Sequence, residues 1–158
     1  AQPPSTWRAL FAENRYDEAM RAAEAEGFDA LVGRSSALDL LALADLSRFA
    51  GRTSRASEAL LGIRNRFAGT SESARAAFHL GRLAFDQRGS HAEAARWFST
   101  YLAEQPSGGL AQEALGRLIE CREAMGATSE AREAARRYLA AYPSGPHAAH
   151  AESLLAGE

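Results

Sequence analysis

The chain has 158 residues, of which 18 are basic and 20 are acidic, so its formal net charge is −2. A surface that binds nucleic acid usually carries a basic excess, and this composition argues against that class of partner. Hydrophobic residues make up 46% of the chain, as in folded globular proteins, and no segment approaches the roughly 20 apolar residues of a membrane-spanning helix.

Residue types exclude several kinds of chemistry. All 18 basic residues are arginines, so no lysine is present to form a Schiff base or to bind a phosphate. The single cysteine, Cys121, cannot form an intramolecular disulfide, and its apolar helix neighbours favour a buried structural thiol. No GxSxG, GxxxxGK or HExxH motif occurs. We therefore expect no enzymatic activity, no cofactor and no metal.

Hydrophobic periodicity predicts helices along the whole chain, because no segment alternates with the period of two residues typical of a strand. In chain order, the nine predicted helices lie near residues 5–13, 16–26, 34–50, 53–67, 72–88, 90–104, 109–125, 128–141 and 145–156. Ser36 lies three residues before an acidic residue, which is the spacing of a capping box, and Ser90 repeats this pattern.

The predicted helices recur with a period of 37 or 38 residues. In each copy a helix-breaking residue stands five positions before an alanine, in the pairs Asn14–Ala19, Gly51–Ala56, Gly89–Ala94 and Gly126–Ala131. The repeat predicts helical hairpins near 5–31, 34–68, 72–106 and 109–143, followed by a capping helix near 145–156. The predicted fold is all-α, an α-solenoid that forms a single domain over residues 1–158.

The repeated positions are expected to hold a residue as small as alanine because another helix lies close to them. A leucine at Ala94 or Ala131 should therefore overpack the contact. Ala92 and Ala103 flank that face and should accept polar side chains.

The motif within each unit resembles the tetratricopeptide repeat. A turn glycine precedes an alanine by five residues, apolar or aromatic residues follow that alanine at +4 and +7, and proline follows at +12, as at Phe98, Tyr101 and Pro106. The resemblance covers nearly the whole chain, although the family's usual unit is ~34 residues. It implies a non-catalytic scaffold that binds a segment of a partner protein in a concave groove.

The chain is similar in particular to two groups of tetratricopeptide proteins. The long units, with YPSG before an alanine-rich helix, resemble bacterial envelope modules of the Tol–Pal coordinator and barrel-assembly lipoprotein type. The string YPSGPHAAHAESLL also resembles the C-terminal repeat region of FecR-like or anti-sigma regulators. The first resemblance implies a role in a periplasmic or envelope-associated assembly. The second implies the sensory part of a larger transcription-regulatory protein. A cytoplasmic location stays open in either case.

The first helix of each hairpin would line the groove. The third hairpin supplies a polar stripe of Arg75, His79, Arg82 and Asp86. Equivalent positions in the neighbouring repeats are Leu41, Arg48, Gln112, Ile119 and Glu123. Apolar anchors among charged residues are typical of peptide recognition, so these nine residues form the predicted partner-binding groove. The alternative is a solvated face with two incidental apolar residues.

The ends of the chain carry two further candidate sites. Trp7, Leu10 and Phe11 are predicted to form a partly exposed patch for self-association, because solenoid ends expose apolar faces. His147 and His150 share one face of the last predicted helix, and without further ligands they indicate a surface pair. The clamp that some tetratricopeptide proteins use for chaperone C-termini needs lysines, which this chain lacks.

Overall fold

In this computed structural model residues 6–87 and 89–157 are described, and every regular element within them is a helix. The helices are α1 (Trp7–Ala12), α2 (Tyr16–Glu26), α3 (Phe28–Arg34), α4 (Ala37–Phe49), α5 (Thr53–Arg66), α6 (Ser71–Asp86), α7 (His91–Glu104), α8 (Ala111–Ala124), α9 (Thr128–Ala141) and α10 (Ala148–Leu155). Consecutive helices pack in pairs, such as α4 with α5 and α8 with α9. The fold class is the predicted one, an α-solenoid of helical hairpins. No helix in the described part of the chain is long and apolar enough to span a membrane.

The chain forms two compact units, Ala1–Ala76 and Ala77–Glu158, whose boundary falls within α6. In the first unit the largest buried side chains are Trp7, Phe28, Leu40, Leu43, Leu46, Leu60 and Ile63. In the second unit the buried set includes Phe78, Phe98, Tyr101, Leu102 and Tyr138. The +4 and +7 positions of the repeat thus lie in the core, at Phe98 and Tyr101 in one copy and at Tyr138 in the next. The grouping of the repeats into a single domain stays a prediction.

The four helix-breaking residues that define the repeat all adopt a left-handed backbone. Their φ angles are 61° at Asn14, 71° at Gly51, 60° at Gly89 and 70° at Gly126. After Gly126, the N–H of Ala127 donates to the carbonyl of Arg122 at 2.8 Å, as in a Schellman C-cap. Glycine adopts this conformation without steric cost, and asparagine tolerates it. The repeat register inferred from the sequence therefore matches the turns of the structure.

Small residues lie where neighbouring helices approach each other. The repeated alanines are at most 1% exposed, namely Ala19, Ala56, Ala94 and Ala131. Gly81 plays the same part in the second unit, because a Cβ atom there would lie 2.8 Å from the ring of Phe98. These positions explain why the repeat keeps small side chains at a fixed register.

The PSG string of the sequence forms the connection between hairpins in the second unit. In both copies a buried tyrosine hydroxyl accepts a hydrogen bond of 3.1 Å from the backbone N–H nine residues later, in the pairs Tyr101–Leu110 and Tyr138–His147. Gly108 and Gly145 lie against these hydroxyls, and a Cβ atom on either would collide with the tyrosine. The tyrosine thus satisfies a backbone donor at the start of the next helix, which has no partner inside that helix.

Helix α3 is an addition to the predicted elements. The sequence indicates no helix between residues 26 and 34, yet α3 begins directly after Gly27, whose φ is 101°. Phe28 and Leu31 are its buried residues. Seven residues contain too few apolar positions to establish a helical period, so this helix depends on tertiary burial for its stability.

The two predicted capping boxes have different outcomes. Ser36 caps α4 as predicted, because its Oγ accepts a hydrogen bond of 3.1 Å from the N–H of Asp39. Ser90 precedes α7 but forms no capping hydrogen bond with its side chain. Its backbone φ and ψ of −89° and 85° differ from the extended geometry of Ser36, so the prediction for Ser90 is wrong.

Candidate partner-binding surface

The polar stripe predicted on α6 lies at the protein surface. Arg75 and Asp86 are exposed, and His79 and Arg82 are half-buried. Leu80, on the opposite face of the helix, is buried as expected. Arg75 belongs to the first compact unit, and the other three polar residues belong to the second.

Two residues of the stripe differ in how their polar atoms are satisfied. Asp86 accepts a hydrogen bond of 2.9 Å from Nη1 of Arg117 on α8, and the Arg117 guanidinium also lies 5.1 Å from the ring centroid of Phe85. The Nε of Arg82, in contrast, is buried and has no hydrogen-bond partner in the described part of the chain. Such unsatisfied buried donors are uncommon in folded proteins. Arg82 is therefore the stripe residue whose own packing leaves a donor unused.

Helices α9 and α10 lie against the groove positions that were predicted on α8. Nε2 of Gln112 donates to the hydroxyl of Tyr138 at 3.2 Å, and Glu123 lies 2.6 Å from Nε2 of His150. Ile119 is 0% exposed. The expectation that Ile119 serves as an exposed apolar anchor is therefore wrong, because the side chain is enclosed in the core of the second unit.

In the first unit the predicted groove residues are also partly buried or in contact with neighbouring side chains. Leu41 is only 8% exposed, so it offers little apolar surface to a partner. Arg48 lies 3.5 Å from Asp45, and its guanidinium stacks 4.2 Å from the ring centroid of Phe49. The accessible residues of the predicted groove are thus polar, and their use by a partner stays a prediction.

The N-terminal patch is largely buried, which corrects the predicted exposure of Trp7 and Leu10. Trp7 is 1% exposed and Leu10 is 7% exposed, and only Phe11 is half-buried. Arg8 covers this region, because its guanidinium lies 4.8 Å from the Trp7 ring centroid and its Nε donates to Asp39 at 3.0 Å. That hydrogen bond holds the pKa of Asp39 below its usual value.

The sequence reasoning did not single out the exposed aromatic residue of the first unit. Phe49 is 50% exposed, and its ring stacks on Tyr16 with a centroid distance of 5.1 Å. Phe11 lies against both rings, at 6.0 Å from Tyr16 and 6.3 Å from Phe49. The available signal was that Tyr16 and Phe49 each stand two positions from a turn residue, Asn14 or Gly51, at an end of a helix.

Two histidines near the C-terminus lie beside acidic residues of α8. His147 lies 4.0 Å from Glu120, and His150 lies 2.6 Å from Glu123. Within residues 6–87 and 89–157, no group of three or more histidine, cysteine or acidic side chains is placed to hold a metal ion. Burial raises the pKa of Cys121 to about 11, so its thiol stays protonated at neutral pH and is a poor nucleophile.

Residues 41–109 match the family model described as the tetratricopeptide repeat. The matched segment begins within α4 and ends after α7, so it contains the third hairpin predicted from the sequence and most of the second. A comparison with curated proteins found no match. Scaffolds of this repeat are typically non-catalytic. Together with the packed helical hairpins, the match supports the predicted relationship to tetratricopeptide-repeat proteins, whose repeats generally mediate protein–protein interaction.

Proposed function

We propose that the protein is a non-catalytic scaffold that binds a segment of a partner protein. The proposed contact surface in the second unit is formed by His79, Arg82 and Asp86 of α6. In the first unit we propose contacts from Arg48 and Arg75, which each present a charged side chain at the surface.

The buried Nε of Arg82 is the observation that best supports this proposal. A donor that has lost water without gaining an acceptor is unfavourable, commonly by about 1–3 kcal/mol. Arg82 is only half-buried as a residue, so its side chain can turn toward a bound segment, whose backbone carbonyl or carboxylate would then accept from this donor and remove that cost. The match to an interaction repeat over the same helix agrees with this function.

Photo-crosslinking in cells tests the surface of the second unit. A photoreactive amino acid replaces Asp86, which is exposed at the end of the stripe, and the captured protein is identified by mass spectrometry. We expect an adduct whose yield falls by about tenfold or more when Arg82→Ala is added, because a charge-assisted hydrogen bond contributes about 1.5–3 kcal/mol.

The matched control places the same photoreactive residue at Ala92, which is exposed on α7 of the same unit. An adduct of equal yield from Ala92, or one that Arg82→Ala leaves unchanged, would show that α6 is not the contact surface. The surface of the first unit is tested by measuring the adduct yield with Arg75→Ala. The control is Arg21→Ala, because Arg21 is an exposed residue of α2.

For the biological setting we propose a bacterial envelope assembly, in the periplasm or attached to the envelope. The support is the resemblance of the long repeat units and the YPSG string to envelope modules of the tetratricopeptide family. Fusing the full reading frame to a reporter enzyme that folds only outside the cytoplasm provides the test. Absence of reporter activity in cells that contain the intact fusion protein would contradict this proposal.

The second candidate is the sensory region of a larger transcription regulator of the FecR-like or anti-sigma type. It is favoured by one feature, the resemblance of residues 142–155 to the repeat region of such regulators. The full reading frame separates the two candidates. A membrane helix with a small regulatory domain would support the regulator, and a lipoprotein signal would support the assembly factor.

A further inference from the structure

A cavity of about 200 Å³ opens between α7, α8 and α9 in the second unit. Its floor is apolar, because Leu102, Leu115 and Leu118 are each at most 3% exposed. Alanines stand at its sides instead of larger residues, with Ala103 exposed on α7 and Ala134 buried on α9. The cavity lies on a different face of α8 from Gln112 and Glu123, and it has no residue in common with the proposed surface on α6.

Charged side chains form the rim of this cavity. Glu133 and Arg137 are exposed one turn apart on α9, and neither forms a hydrogen bond or an ion pair within the described residues. Arg122 is half-buried on α8, and one of its nitrogens donates to the carbonyl of Glu130 at 2.9 Å. That bond fixes the guanidinium in place while its other N–H groups stay available. The rim therefore presents two cations and one anion.

The size of the cavity limits what it can accept. Pockets for drug-sized ligands usually enclose about 300–1,000 Å³, so this cavity is too small for that class. A cavity of about 150 Å³ admits one benzene ring. One large apolar side chain of a bound peptide is of the matching size, and such side chains in desolvated pockets contribute most to binding at protein interfaces.

We propose that this cavity is a side-chain pocket for a partner peptide that presents one leucine- or phenylalanine-sized side chain beside an acidic residue. The apolar side chain contacts the three leucines of the floor. The neighbouring carboxylate pairs with Arg137 and Arg122, and Glu133 accepts a hydrogen bond from a peptide N–H. Arginine supplies this recognition well because its planar fork can donate two parallel hydrogen bonds to a carboxylate.

The test is an NMR titration of the 158-residue chain with three short synthetic peptides. The first has the sequence GEELEEG, the second has alanine in place of leucine, and the third has lysines in place of the glutamates. We expect the first peptide to shift the amide signals of Leu102, Leu118 and Ala134, and the other two to bind about tenfold more weakly or not at all.

Two pairs of variants then separate the pocket from other surfaces. Ala103→Phe fills the mouth of the cavity and should abolish the titration, whereas Ala92→Phe lies on the same face of α7 about three turns away and should leave it unchanged. Arg137→Glu should weaken binding of the acidic peptide about tenfold, and Arg21→Glu on α2 should not.

Three results would overturn the proposal. The first is equal binding of the leucine and alanine peptides, and the second is binding that Ala103→Phe leaves intact. The third is a concentration-dependent dimer, seen by sedimentation, that Ala103→Phe abolishes, because the occupant would then be a second copy of the chain. Arg82→Ala should not change the peptide titration, so failure here is distinct from failure of the proposed surface on α6.

Discussion

At the scale of single residues, arginine side chains connect neighbouring helices. Arg55 donates from Nε and Nη2 to the two oxygens of Glu24, each at 2.8 Å. Arg66 donates from one nitrogen to the carbonyls of Val32 and Ser35, at 2.7 and 2.8 Å. The planar guanidinium suits the two parallel hydrogen bonds of Arg55 to one carboxylate, whereas the ammonium group of a lysine is a compact point charge. The absence of lysine therefore has a structural consequence, beyond the chemistry that it excludes.

Tyr138 provides a test of the connection before α10. Its hydroxyl accepts hydrogen bonds from the N–H of His147 and from Gln112, so Tyr138→Phe leaves a partly buried backbone donor unsatisfied. We expect a loss of about 1–2 kcal/mol in the free energy of unfolding, measured by urea denaturation. The control is Tyr142→Phe, since that hydroxyl forms no hydrogen bond within the described residues. Equal losses in the two variants would contradict the proposed role of the Tyr138 hydroxyl.

At the scale of elements, α8 shows how helix neighbours determine the role of each residue. One face packs against α7 and α9 through Leu115 and Leu118, and Ile119 is enclosed as well. His147, directly before α10, lies so close to Gly116 that a Cβ atom there would collide with its ring. The helical period predicts which of these residues share a face. It does not indicate that α10 and the loop before it cover the face that carries Gly116.

The packing of α9 predicts a contrast between two alanine substitutions. Ala131 is 0% exposed, so Ala131→Leu should overpack the helix contact and lower the free energy of unfolding by roughly 1–3 kcal/mol. Ala103 is exposed on α7, and Ala103→Gln should change it by about ±0.5 kcal/mol. Thermal melts of the two variants measure the difference. Identical melting temperatures would mean that the register of the repeat is off by at least one residue.

At the scale of the molecule, the two compact units each have a core of their own, and α6 contributes to both. The first unit combines a leucine-rich core with the half-exposed rings of Tyr16 and Phe49. The second unit contains the aromatic residues Phe98 and Tyr138 and the single cysteine. A probe that reports on one unit alone can therefore follow the opening of that unit.

Cys121 is such a probe for the second unit. Its thiol is 0% exposed and burial raises its pKa to about 11, so at pH 8 only about one part in a thousand is thiolate. We expect a thiol reagent such as Ellman's reagent to react with the native protein only through opening of this unit. The reaction rate should rise steeply across the urea transition seen by circular dichroism. Rapid reaction in the absence of urea would contradict burial of the thiol.

Local sequence patterns were sufficient to predict every helix except α3, together with the turns and the register of the repeat. Those features depend on local preferences, namely the left-handed backbone at Asn14 and Gly126 and the small side chains at Ala94 and Ala131. The sequence also indicated that the polar face of α6 would be accessible.

The coverage of each helix face, in contrast, depends on contacts between elements and could not be predicted. Trp7 and Ile119 carry the same apolar signal whether they lie in a core or on a surface, so their periodicity could not show that both are buried. The unsatisfied Nε of Arg82 and the cavity above Leu102 arise from contacts between elements distant in sequence. Burial is a property of packed neighbours, and a single chain's pattern specifies the face of a helix without specifying what lies against it.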